Sequence, residues 1–340
     1  MDEFRPRIAI TLGDPAGIGP EVVLKALADP EIRQLVRPLI VGDAGLIDRS
    51  LTTYGLDLTV EQVSPGEWPD DAVALVEVDD VQTDIPLGEA SPEGGDAAWR
   101  FIERGAALCL AGVADGLVTA PINKYALELA GRGHDGHTEI LMRLTDSQWS
   151  QTLFLLGDLR SLFFSRHLSL KDAIAAVRAD AICDHLVRFR SVAPVLGLDD
   201  PLIAVAGLNP HAGENGLFGR EEIDEIAPGI AAAKAQGIRV EGPVPADAVF
   251  HQARIGRYDV VLSLYHDQVS AVLKAIDFHR VVSATLGLPF LRFSVDHGTG
   301  YDIAGRGIAD PTNMAETLRC AASTIAYDRG RSGNLTGGRR

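Results

Sequence analysis

The sequence predicts an α/β protein, on three observations. Short β-branched runs alternate with stretches of helical periodicity along the whole chain. Glycine-rich loops stand at strand-to-helix junctions. Several apolar runs stop abruptly at ionisable residues, which puts reactive side chains at the carboxyl ends of strands. Open α/β sheets bind ligands at that edge.

Taken in order, strands are predicted at Ile8–Leu12, Pro38–Val41, Val73–Val78, Gly116–Thr119, Thr152–Leu156, Leu162–Phe164, Leu202–Val205, Val260–Leu264 and Val281–Thr285. A helix begins at Pro20, a residue favoured in the first helical turn. Another follows Asp96 as N-cap and carries Trp99, Ile102, Ala106 and Cys109 at helical spacing. Leu170–Arg188 and Glu221–Ala235 also read as helices, with Pro228 kinking or restarting the latter. Ser64–Asp71 and Gly88–Gly95 are loops rich in turn formers. The tail Asp328–Arg340 has too little apolar content to pack and reads as disordered.

At 340 residues the chain has room for two lobes or one large α/β unit. A formal charge of −16 argues against nucleic acid, because phosphate backbones need a clustered basic face. No apolar run reaches the ~20 residues of a membrane span. The opening MDEFRPRIAI lacks a signal-peptide core. Three scattered cysteines, Cys109, Cys183 and Cys320, suit a reducing compartment, so the cytoplasm is the expected location. The global field would oppose an anionic substrate, which directs attention to Lys124, Lys274, Arg292 and Arg306.

Three places carry candidate chemistry. The loop Gly13-Asp14-Pro15-Ala16-Gly17-Ile18-Gly19 could admit a ligand or form a tight turn, but it is not the dinucleotide fingerprint. At a second junction, Thr119–Lys124 is followed by Gly136-His137-Thr138-Glu139, which either caps a helix or surrounds an anionic group. The third is a set of three histidines, His167, His211 and His266, each following an apolar strand. Parallel strands in one sheet would bring them to a common edge, where three imidazoles with an open position make a catalytic metal site. His134, His185, His251 and His279 lack such a setting and read as surface.

These segments also carry a resemblance. TLGDPAGIGPE, TAPINK, GHTE, LNPHAGENGLFGREE, GPVPAD, LYHDQ, LGLPFLR, VDHGT and DIAGRGIAD, in this order, resemble the PdxA family of 4-hydroxythreonine-4-phosphate dehydrogenases and close relatives. The resemblance implies an isocitrate/isopropylmalate dehydrogenase-like fold: two α/β/α lobes with a cleft between them. The lobes would be 1–127 plus 296–327, and 128–295 with the metal and substrate residues. It implies a homodimer whose active site lies at the subunit interface. A divalent metal would sit at His167, His211 and His266, with ligands from both subunits; zinc leads, and cobalt, nickel, manganese and magnesium are the alternatives.

The substrate positions would be His137, Thr138, Lys274, Ser283 and Arg292. The implied reaction oxidises the secondary alcohol of a phosphorylated four-carbon acid with NAD, after which the β-keto acid loses carbon dioxide. NAD contacts would fall at Gly13, Asp14, Gly17 and Asn209, and this cofactor rests on the resemblance alone. Lys274 and Arg292 would neutralise carboxylate or phosphate. Asp247 and Asp267 are the acids to weigh as general base, or else as a helix cap and an orienter of histidine.

One departure matters: Ser283 stands where the family usually has asparagine. A hydroxyl replaces an amide that both donates and accepts, so a substrate other than 4-phosphohydroxythreonine is expected, such as a four-carbon sugar-acid phosphate. Tyr301 is a second position expected to alter the pocket wall. The alternatives are a dihydrodiol-carboxylate dehydrogenase of the same family and a catalytically silent ligand-binding relative.

Overall fold

The computed structural model describes residues 4–336, which divide into two units. The first takes the residues up to 150 together with 282–330. The second takes 151–281 and the described residues from 331 onward.

The first unit opens with β1 (Arg7–Thr11), α1 (Gly19–Ala28), α2 (Pro30–Leu35), β2 (Arg37–Gly42), α3 (Ala44–Tyr54), β3 (Val60–Gln62) and β4 (Val73–Glu77). It continues with α4 (Pro92–Leu110), β5 (Gly116–Thr119), α5 (Lys124–Leu129) and α6 (His137–Leu144). The strands lie in the order β3-β4-β2-β1-β5 and all pair in parallel. Parallel strands covered on both faces must be apolar on both, which is why Ile8–Ile10 and Leu39–Val41 are uninterrupted hydrophobic runs. Trp99 and Ile102 of α4, Leu127 of α5 and Ile140 of α6 share one core with Leu39 and Leu117.

The α4 helix starts earlier than the sequence suggested. Ser91, not Asp96, caps it, accepting from the Gly94 amide at 3.0 Å. Asp96 lies inside the helix and pairs with Arg100 and Arg132. The misleading signal was Gly94-Gly95, which is no loop: a Cβ on Gly95 would stand 2.0 Å from the Ala126 carbonyl, so glycine there permits α4 to lie against α5.

The second unit contains β6 (Gln151–Leu156), β7 (Leu159–Phe163), α7 (Leu170–Ala176), α8 (Ala179–Val192) and β8 (Ile203–Ala206). After these come α9 (Ala227–Ala235), β9 (Val240–Val244), α10 (Ala246–Arg254), β10 (Val260–Ser263) and α11 (His266–Ile276). Its order is β6-β7-β10-β8-β9, parallel except for the β6–β7 hairpin. The single helix expected over Leu170–Arg188 is two, because the chain leaves helical geometry at Val177 and Arg178. The carboxylate of Glu225 then accepts from the Ala179 amide and starts α8. Pro228 lies in the first turn of α9, after a wide π turn at Glu222–Ile226.

The chain then returns to the first unit with β11 (Val282–Leu286), β12 (Leu291–Val295) and α12 (Thr312–Thr336), the last of which belongs to the first unit through residue 330. There β12 pairs in parallel with β5, and β11 pairs antiparallel with β12. This pairing corrects the expected lobe boundaries. The divisions fall at 150/151 and 281/282, so His137, Thr138, Ser283 and Arg292 belong to the first unit. The tail is corrected as well: α12 continues through 328–336, and Arg329 pairs with Asp115. Residues 337–340 lie outside the described residues. No helix among the described residues is long and apolar enough to cross a membrane.

Candidate active site

In the second unit, β7, β10 and β8 lie side by side in parallel, so their carboxyl ends share one edge. Two buried side chains stitch those ends together. Ser165 Oγ donates to the Leu264 carbonyl at 2.8 Å, joining the end of β7 to that of β10. Gln268 accepts from the Leu264 amide at 2.7 Å and donates to the Gly207 carbonyl at 2.8 Å, joining β10 to β8. The three histidines leave from this edge. His167 and His266 face each other with ring centroids 6.1 Å apart. His211 follows β8 and lies 6.3 Å from the Phe218 ring.

His211 sits in an unusual backbone. His211, Ala212, Gly213, Glu214 and Asn215 all take left-handed φ values, from 42° to 80°. For the four that are not glycine this costs roughly 1–2 kcal/mol each. Glu222 holds the turn in place: its buried carboxylate accepts from the Leu208 and Asn209 amides at 2.8 and 2.7 Å and from Asn209 Nδ2 at 2.8 Å. Strain held by buried polar bonds beside a solvent-facing imidazole is a pattern of functional sites.

The donor chemistry suits a divalent metal. His266 Nδ1 and Asp267 Oδ1 are 2.7 Å apart, so a proton shared there leaves Nε2 with its lone pair for an ion. Among the described residues of a single chain, no three His, Cys, Asp or Glu side chains gather around one ion position. The pair is brought together, and His211 stands at the end of the neighbouring strand without completing a trio in one chain. On α11, Ser270 and Lys274 follow His266 at helical spacing. The Ser270 hydroxyl is buried without a hydrogen-bond partner, one turn along α11 from His266, and that i+4 spacing is its only signal in the sequence.

In the first unit, the second candidate set forms around a buried arginine. Arg292, 4% exposed on β12, donates through Nε and Nη2 to Thr119 Oγ1 at 3.1 and 2.6 Å, and through Nη1 to Thr285 Oγ1 at 3.1 Å. Thr119 also donates to Ser294 at 3.2 Å. Ser283 lies opposite Ser294 and two residues from Thr285, so β5, β12 and β11 present a hydroxyl-lined face. The α6 helix begins beside this arginine. Glu139 accepts from the Gly136 amide at 3.2 Å and fixes the helix start, where His137 is half-buried and its Nε2 is shielded from solvent with no hydrogen-bond partner. Burial, and then the positive charge of Arg292, hold His137 well below the usual imidazole range, so it is neutral at physiological pH. Lys124 Nζ lies 3.7 Å from where a Gly136 Cβ would be. A helix N-terminus, a buried guanidinium, a nearby ammonium and an unbonded ring nitrogen together suit an anion.

The profile of the family described as "Pyridoxal phosphate biosynthetic protein PdxA" matches residues 34–321. The chain belongs to the PdxA family. A relative from Symbiobacterium thermophilum named "Putative D-threonate 4-phosphate dehydrogenase" is 46% identical over 96% of this chain and 99% of its own. The crystal structure of a 4-hydroxythreonine-4-phosphate dehydrogenase from Klebsiella pneumoniae superposes with a TM-score of 0.85 at 37% identity, covering 94% of this chain and 99% of that one. A terephthalate 1,2-cis-dihydrodiol dehydrogenase from Burkholderia xenovorans is more distant, at 26% identity and a TM-score of 0.64 over 94% and 98%.

Against the PdxA pattern, several expected site residues turn out to be engaged with their own chain. Cβ atoms at Gly13 and Gly17 would stand 2.3 and 2.7 Å from the Pro121 and Thr299 carbonyls, so close backbone packing accounts for both glycines. Asp14 accepts from Tyr301 Oη at 2.6 Å and from the Ala16 amide at 2.9 Å. Its carboxyl is raised above the usual range by burial, against which those two bonds pull. Tyr301, expected in the pocket wall, is thus the anchor of this loop. Asn209 Nδ2 is committed to Glu221 and Glu222. Gly13, Asp14, Gly17 and Asn209 are therefore all engaged in building their own loops. Asp247 is exposed in the first turn of α10, where its charge favours the helix, but it makes no side-chain cap. Arg306 is exposed and reaches only the Asp302 carbonyl. His185, expected at the surface, is half-buried with Nε2 2.8 Å from the Phe163 carbonyl. Burial brings its pKa down to about 4.

Proposed function

We propose that this protein is a dehydrogenase that oxidises the secondary alcohol of a phosphorylated four-carbon sugar acid, of the kind represented by D-threonate 4-phosphate. The observation that carries this reading is the anion cradle of Arg292, neutral His137 and the α6 N-terminus. The names of the relatives support the reaction class, and the Ser283 hydroxyl favours a sugar acid over an amino acid. An unphosphorylated ring has less need of such a cradle, which disfavours the dihydrodiol reading.

In the proposed reaction the secondary alcohol becomes a ketone: its hydroxyl gives up a proton, and NAD, when bound, would take the hydride of the carbinol carbon. The resulting β-keto acid then loses its carboxylate as carbon dioxide, and the enolate left behind takes up a proton to give the ketone. Arg292 fixes one anionic end of the substrate through its planar fork, with its geometry set by Thr119 and Thr285. Thr138 and the free amides of α6 bind the same group, and His137 adds a hydrogen bond without adding charge. His167, His266 and a His211 from either chain of a homodimer would hold a divalent ion, zinc foremost, which supplies Lewis acidity to the alcohol oxygen. Asp267 keeps the proton of His266 on Nδ1, away from the ion. Lys274 is the proton carrier on α11.

NADH formation on D-threonate 4-phosphate, D-erythronate 4-phosphate and 4-phosphohydroxythreonine, each with and without a chelator, tests the proposal. A sugar-acid phosphate should be the best substrate, and the chelator should abolish turnover. Strong preference for 4-phosphohydroxythreonine would defeat the substrate assignment, and full activity after metal removal would defeat the histidine site.

A further inference from the structure

The amino ends of β2 and β4 lie at the opposite edge of the first unit's sheet from Thr119. There the structure has a hollow of about 370 Å³ that no step of the proposed reaction uses. Its walls include Arg5, Arg33, Arg37, Trp68, Asp70 and Asp71. Three guanidinium groups around one cavity are out of keeping with a chain that carries 47 acidic residues against 31 basic ones. Among the described residues, no carboxylate stands within ion-pair distance of any of the three.

Two of these arginines are held by the backbone. Arg5 Nη2 donates to the Val36 carbonyl at 2.8 Å and also to that of Arg33, and Arg33 donates to the Leu27 carbonyl. These bonds use one or two of the five N–H groups of each guanidinium and fix its position, so donors remain for a ligand. Arg37 lies with its guanidinium carbon 5.7 Å from the centroid of the Trp68 ring. That indole is packed from behind against the hydrophobic core and accepts a flat partner on its outer side.

We propose that this hollow binds a nucleoside phosphate. The guanidinium groups take the phosphate, since charge-assisted, forked bonds to phosphate are what arginine supplies best. The base lies against Trp68, stacked with or in place of Arg37. Asp70 and Asp71 accept from the ribose hydroxyls, which explains acids in a wall otherwise suited to an anion. The volume falls within the range of small-molecule sites.

Calorimetric titration of AMP into the full-length protein tests this, with NAD kept saturating to occupy any dehydrogenase cofactor site. Binding of one AMP per chain with quenching of tryptophan fluorescence is expected. Arg37→Gln should weaken it about tenfold or more, Arg37→Lys should give a smaller loss, and Trp68→Phe should remove the quench. Arg37 is exposed, so the melting temperature of its variants should match wild type and turnover should be unchanged. Absence of saturable binding, or equal affinity in Arg37→Gln, overturns the proposal. Inorganic phosphate binding as tightly as AMP overturns it too, because the base would then contribute nothing.

Discussion

Arg292 is a full charge inside a strand, and the fold tolerates it because two threonine hydroxyls accept its N–H groups. Removing the guanidinium takes a hydrogen-bond partner from both Thr119 and Thr285 inside the fold, at a cost of about 1–3 kcal/mol. Arg292→Met should therefore lower the melting temperature modestly while kcat/KM falls about 100-fold, the loss of one or two charge-assisted bonds to the substrate. An equal fall in both would make the residue structural. His185 behaves differently, because it is held half-buried as a neutral ring whose folded pKa is about 4 against about 6.5 in the unfolded chain. Below pH 6.5 the unfolded state binds more protons than the folded one. The stability that His185 contributes is complete above that pH and is lost as pH falls towards 4. Urea unfolding at pH 7 and pH 4.5 should show His185→Gln less sensitive to acid than wild type, by on the order of 2 kcal/mol.

At the scale of elements, the left-handed turn is where local preference and native structure disagree most. Four non-glycine residues in αL persist because Glu222 accepts three hydrogen bonds across the base of the turn. Glu222→Gln nearly conserves shape but puts a donor where an acceptor is needed. It should lower unfolding free energy by about 2–3 kcal/mol and weaken binding of the divalent ion, read by urea titration and by metal analysis after dialysis. Unchanged values for both would show that the turn holds without it.

The same turn shows what a single sequence hides. His-Ala-Gly-Glu-Asn has one glycine, so nothing local announces five left-handed residues, and the lock that imposes them lies beyond the turn at Glu222. By contrast, the strands ending at His167, His211 and His266 were legible as apolar runs with fixed stops, and they do share an edge. β12 was missed because LRFSV carries the buried charge at Arg292, and β9 because Gly242-Pro243 interrupts it. With β12 unseen, Arg292 and Ser283 were expected in the wrong unit. Strand ends were therefore easier to place than membership in a body of the fold. Chemistry follows residue type at a strand end, whereas unit membership follows pairing between distant segments.

At the scale of the whole molecule, a charge of −16 surrounds a site proposed to take a multiply charged anion. The field of the protein and the cradle act over different distances, which makes them separable by salt. At about 0.01 M ionic strength the Debye length is near 30 Å, so an approaching phosphorylated acid feels most of the net negative charge. At about 0.15 M it is near 8 Å, and that repulsion is screened. Arg292 and the α6 N-terminus act within a few ångströms, from positions largely out of solvent, and lose much less. Under conditions where substrate capture limits kcat/KM, the value should rise severalfold from low to physiological salt, with kcat nearly flat. Enzymes that steer their substrates electrostatically show the reverse. Steady-state kinetics over a sodium chloride series decides between the two. A kcat/KM that falls steadily with salt would mean the local cations already dominate at long range, and that the net charge of the chain has no bearing on how it meets its substrate.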